Sequence, residues 1–104
     1  MGQVTITRDE AIQIMLDFDD ELEMDRVCMY ADAFVEYQEA QANIDEHGSI
    51  VLHPRTGAPI PNPYSDVKAR AMKTMLSLKL GSAPGWLWDT FNERRSAPEA
   101  PDAP

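Results

Sequence analysis

Between Leu22 and Glu46 the chain has neither glycine nor proline. Within that stretch Val27, Tyr30, Phe34, Tyr37, Gln41 and Ile44 recur at intervals of 3, 4, 3, 4 and 3. That spacing marks one face of an α-helix, because 3.6 residues make a turn. Ala33 and Ala40 flank the seam with small side chains. A helix of roughly 22 residues is about 33 Å long, and Gly48 suits its C-terminal cap. A rod of that length makes the fold mainly α. The seam Val27, Tyr30, Phe34, Tyr37 and Ile44 has two readings: a core face against a later helix, which is preferred, or a contact with a neighbouring subunit.

The remaining elements follow from local signals. Thr7, Arg8, Asp9 and Glu10 read as a capping box opening a short amphipathic helix with Ile12, Met15 and Leu16. It is expected to end near the acidic stretch from Asp17 to Glu21. Ile50 to Leu52 is a short β-prone run, Arg55 to Gly57 a turn tip, and Ala58 to Pro61 a return strand. The prolines limit this hairpin to a short edge. Asn62 and Pro63 announce a second amphipathic helix. Its stripe is Val67, Ala71, Met75 and Leu78, joined by Tyr64, Met72 and Leu76, and Gly81 is expected to cap it. After a break at Ser82 to Pro84, a short C-terminal aromatic helix carries Trp86, Leu87, Trp88 and Phe91. Residues 1–95 are expected to form one helical oligomerisation domain, and residues 96–104 a disordered tail of proline, alanine and acid.

The formal net charge is −9, from 18 acidic and 9 basic residues. Strong binding of nucleic acid by a lone chain needs the opposite balance, and an anionic membrane is an equally poor partner. The charges are nevertheless segregated. Residues 8–46 hold thirteen acids and two bases, whereas residues 47–79 hold one acid and five bases. Lys68, Arg70, Lys73 and Lys79 are the concentrated positive charges and the candidate DNA contacts, effective only where an oligomer repeats them. The plain alternative is a solvated helix face, with Asp66 and Arg70 paired at i,i+4.

Catalytic chemistry is not signalled. His47 and His53 lack ligand spacing with Cys28, and no glycine-rich phosphate loop is present. The acids Asp17, Asp19, Asp20, Glu21, Glu23 and Asp25 lack the glycine and ligand spacing of a calcium loop. Cys28, the single cysteine, reads as a small buried hydrophobe in a reducing compartment. No metal, no cofactor and no enzymatic activity are expected. No apolar run approaches a membrane span and no signal-like stretch opens the chain, so a cytoplasmic location is expected. A core this thin is expected to gain stability by self-association into an oligomer larger than a dimer.

The order MYADAFVEYQEAQANIDEHG, then SIVLHPRTGAPIPNP, then SDVKARAMKTMLSL resembles the small terminase subunit family of tailed phages. The resemblance spans roughly Asp25 to Leu80, with Glu46, Gly48, Asn62 and Pro63 as landmarks. It implies a subunit of a closed ring that holds DNA and regulates a large terminase subunit carrying the ATPase and nuclease. Family members commonly have a longer, basic N-terminal region with DNA-recognition elements, whereas only about 20 acidic-leaning residues precede the matching span here. Indiscriminate packaging of double-stranded DNA, as in gene transfer agents, is the corresponding expectation. The tail, with Glu99 and Asp102, is expected to dock on the large subunit. The competing reading is an acidic regulator that binds protein and makes no DNA contact.

Overall fold

The computed structural model describes residues 5–96. Four helices, α1 (Arg8–Phe18), α2 (Met24–His47), α3 (Tyr64–Ser77) and α4 (Ala83–Ser96), are joined by one hairpin of β1 (Ile50–Leu52) and β2 (Pro59–Pro61) between α2 and α3. The mainly helical architecture expected from the sequence is the one observed.

The Thr7 hydroxyl accepts the Glu10 N–H at 3.1 Å and opens α1. The other half of the capping box is diverted, because the Glu10 carboxylate pairs with Arg94 of α4. Ahead of α1, the chain is pinned by Gln38 of α2. Its amide accepts from the Ile6 N–H at 2.8 Å and donates to the Ile6 carbonyl at 2.7 Å. A buried amide with both functions paired costs little, and it holds Ile6 in the core.

The long helix ends at Gly48, whose φ of 89° is open to glycine and whose N–H reaches the Ile44 carbonyl at 2.7 Å. In the hairpin, Ile50 faces Pro61, Val51 faces Ile60, and Leu52 faces Pro59. Bonds at Ser49–Asn62 and His53–Ala58 bracket this ladder, and the antiparallel alternation leaves the two proline positions facing outward from the pair. The prolines therefore cost no ladder bond, and they leave β2 no outward N–H. His53 shapes the turn: its Nδ1 accepts from the N–H groups of Arg55 and Thr56 at 3.0 and 3.3 Å.

Asn62 is the junction of the fold. Its side chain caps α3 by accepting the Tyr64 N–H at 2.9 Å, and its Nδ2 donates to Asn43 Oδ1 and to the Gly48 carbonyl, both at 2.9 Å. From there α3 runs back along α2. One expectation is corrected: α3 ends at Ser77, not at Gly81. Leu78 is extended and Leu80 turns into the core. Drawing both leucines of the linker inward requires non-helical backbone there, and Gly81, at φ 66°, makes the reversal into α4.

The core gathers Ile6, Met15, Val27, Phe34, Met75, Leu87 and Phe91 around α2. On α4, Trp88 meets Phe34 at 4.8 Å, Tyr37 at 5.1 Å and Phe91 at 5.5 Å between ring centroids, all edge-on. That arrangement adds about 0.5–1.5 kcal/mol per pair beyond area burial. The helices lie as a plate, 51 × 43 × 17 Å, with a radius of gyration of 16.1 Å. A compact chain of this length would have about 13 Å.

Candidate nucleic-acid interface

Ion pairing divides the basic residues by position. Arg8 pairs with Asp32, Arg26 with Glu23, Arg94 with Glu10, and Arg95 with Asp45. Arg55, Lys68, Arg70, Lys73 and Lys79 have no carboxylate within 4.0 Å among the described residues. All five unpaired cations thus fall on the hairpin, α3 and the linker after it. Asp66 does not reach Arg70.

The quartet expected from sequence is not one patch. Arg70 and Lys73 are exposed, three residues apart on the outward side of α3. Lys68 lies on the other side, half-buried, with its ammonium 5.6 Å from the Tyr37 ring centroid. Lys79 is exposed in the linker beyond the helix. Arg55, read from the sequence as a turn residue alone, stands at the hairpin tip as a fifth cation. The signal for it is the absence of any carboxylate from His47 to Ser65.

Of the seam residues, Val27, Tyr30, Phe34 and Tyr37 are buried within the chain, while Ile44 is half-buried and outside the core cluster. Burial pushes the Tyr30 phenol pKa up, opposed by the Trp88 indole N–H that donates to it at 2.6 Å. Hydrogen bonding from Arg94 holds the Glu10 carboxyl below the usual range, against the effect of its partial burial. Glu99 and Asp102 lie outside the described residues.

No group of three or more His, Cys, Asp or Glu side chains among the described residues could hold a metal ion. A cavity of about 70 Å³ is lined by Thr5, Gln38, Gln41, Asp45, Phe91 and Arg95 among others. That is room for a few waters. No helix among the described residues is long and apolar enough to cross a membrane.

The plate thus carries its unpaired cations on the hairpin, α3 and the linker after it, apart from the acidic α1 and α2. The family described as phage terminase, small subunit, matches residues 14–80, well over half of the chain, and the protein belongs to that family. The match ends at Leu80, where the sequence resemblance also ends, and it begins earlier, inside α1. Membership assigns the chain to the small-subunit role in phage-type DNA packaging. No curated protein and no solved structure gives a significant match.

Proposed function

We propose that the protein is a non-catalytic packaging adaptor that, as a ring, touches DNA weakly and without sequence preference and recruits or regulates the large terminase subunit. The observation that carries the DNA contact is the confinement of all unpaired cations among the described residues to Arg55, Lys68, Arg70, Lys73 and Lys79. Arg70 and Lys73 make the primary contact and Lys79 extends it, while Lys68, turned toward Tyr37 on the other side of α3, does not share that surface. A single copy offers a handful of phosphate contacts, opposed by its own acidic helices. A ring repeats the contacts, and simultaneous engagement raises their effective concentration. The tail, with Glu99 and Asp102, serves as the docking segment for the large subunit, its composition suiting a segment that orders on binding.

Anisotropy titration of unrelated duplexes over a range of salt tests the DNA contact. The wild type is expected to bind all of them alike and to release them as salt rises. Arg70→Glu with Lys73→Glu should weaken every duplex similarly and lower the salt slope by about one unit for each phosphate no longer neutralised. Tight binding of one sequence that survived the double change would sink the proposed contact. Absence of any retention at low salt would leave the acidic protein-binding regulator as the better reading.

A further inference from the structure

The hairpin shows an apolar face to solvent. Ile50 is 59% exposed and Leu52 67%, and across from them stand the exposed Pro61 and Pro59. An isolated two-stranded hairpin with an uncovered apolar face is marginal in water. At the other end of α2, a second apolar surface is uncovered. Phe18 and Trp86, 39% and 56% exposed, meet edge-on at 5.3 Å, and Met24 stands exposed at the first turn of α2.

Charge decides which surfaces fit. The second surface is rimmed by an open groove containing Asp17, Asp19, Asp20 and Glu21, none of which is ion-paired among the described residues. Two such ends brought together would repel. The hairpin is acid-free and tipped by the unpaired Arg55, so it complements that groove in charge as well as apolarity. The two surfaces cannot meet within one chain, because α2, with 24 residues, holds them about 36 Å apart.

We propose that the hairpin of one copy seats on the α1–α2 corner of the next, with Ile50 and Leu52 against Phe18 and Trp86 and with Arg55 in the groove from Asp17 to Glu21. The contact is heterologous, so it propagates head to tail and closes into a ring where the rotation allows. It rests on the reading of the chain as a ring subunit and names the surfaces that make the ring.

The test is molar mass by light scattering and native mass spectrometry at tens of micromolar, with helical circular dichroism as the folding control. It is independent of the DNA titration. Wild type is expected to be larger than a dimer. A hairpin variant, Ile50→Glu with Leu52→Glu, and a corner variant, Trp86→Glu with Asp20→Lys, should each be monomeric. Arg55→Glu, which leaves the apolar faces intact, should shift assembly to at least roughly tenfold higher concentration. The decisive arm mixes the two monomeric variants. Each keeps one sound surface, so the mixture should form a dimer and stop there. A monomeric wild type, a folded hairpin or corner variant that stays assembled, an unshifted Arg55→Glu, or a mixture that stays monomeric would overturn the proposal.

Discussion

Asn62 joins three segments at once: the end of α2 through Asn43 and Gly48, the hairpin through its backbone bond to Ser49, and the start of α3 through Tyr64. It is 2% exposed, so truncation removes a buried side chain and leaves its part-buried partners unpaired. Asn62→Ala is expected to cost about 1–2 kcal/mol in urea unfolding, because the groups it leaves unpaired are only part-buried. A loss below about 0.5 kcal/mol would show that the junction is dispensable. Phe34→Ala should cost about 3–5 kcal/mol, because its ring is fully buried between Trp88 and Phe91. A loss under about 1 kcal/mol would mean that the aromatic cluster can collapse around the cavity. Asn62 is legible in the sequence as a helix cap, since capping is local. Its reach to Asn43 and Gly48 is not, because it depends on how α3 returns to α2. The placement of the basic quartet is partly legible: a spacing of two separates Lys68 from Arg70 by about 200° around a helix.

At the level of elements, α1 and α4 are tied by Glu10 and Arg94. The pair is about one-third exposed, and solvent screening limits it to about 1 kcal/mol. Its pH dependence has a definite sign. The folded-state pKa of Glu10 is lowered, chiefly by the Arg94 hydrogen bond. The stabilisation is therefore complete above about pH 4.3, the ordinary glutamate value, and is lost as pH falls through the lower folded value. Thermal unfolding of Glu10→Gln should show a small deficit at pH 7 that closes in acid. A deficit that widened on acidification would refute this assignment. The start of α1 and the end of α2 are legible because Thr7 and Gly48 act locally. The end of α3 is not, because Leu78 and Leu80 are drawn inward by the core, a tertiary effect that stops the helix ahead of a permissive glycine. The aromatic character of α4 is visible, but its partners Phe34 and Tyr37 lie more than fifty residues away and no periodicity connects them.

The described residues form a plate only 17 Å through its thinnest axis, about one and a half times the diameter of a helix with its side chains. A core that thin leaves much apolar surface facing outward, as at Ile50, Leu52, Leu76 and Trp86. Folding and assembly should then be linked by mass action. Raising protein concentration tenfold is expected to lift the apparent melting temperature by roughly 2–6 °C. Calorimetry showing no dependence on concentration would mean that the plate is stable alone. Small size and a thin core are announced by the sequence. Which surfaces remain uncovered depends on the register of the hairpin and the position of α4.

The two tryptophans stand on opposite sides of that boundary. Trp88 is held by Tyr30 and packed among Phe34, Tyr37 and Phe91, while Trp86 points outward beside Phe18. The chain therefore carries two intrinsic fluorophores in unlike surroundings, one responding to loss of the interior and the other to whatever arrives at its outer corner. With Trp86→Phe the remaining emission reads unfolding, and with Trp88→Phe it reads contact between molecules, without an added dye.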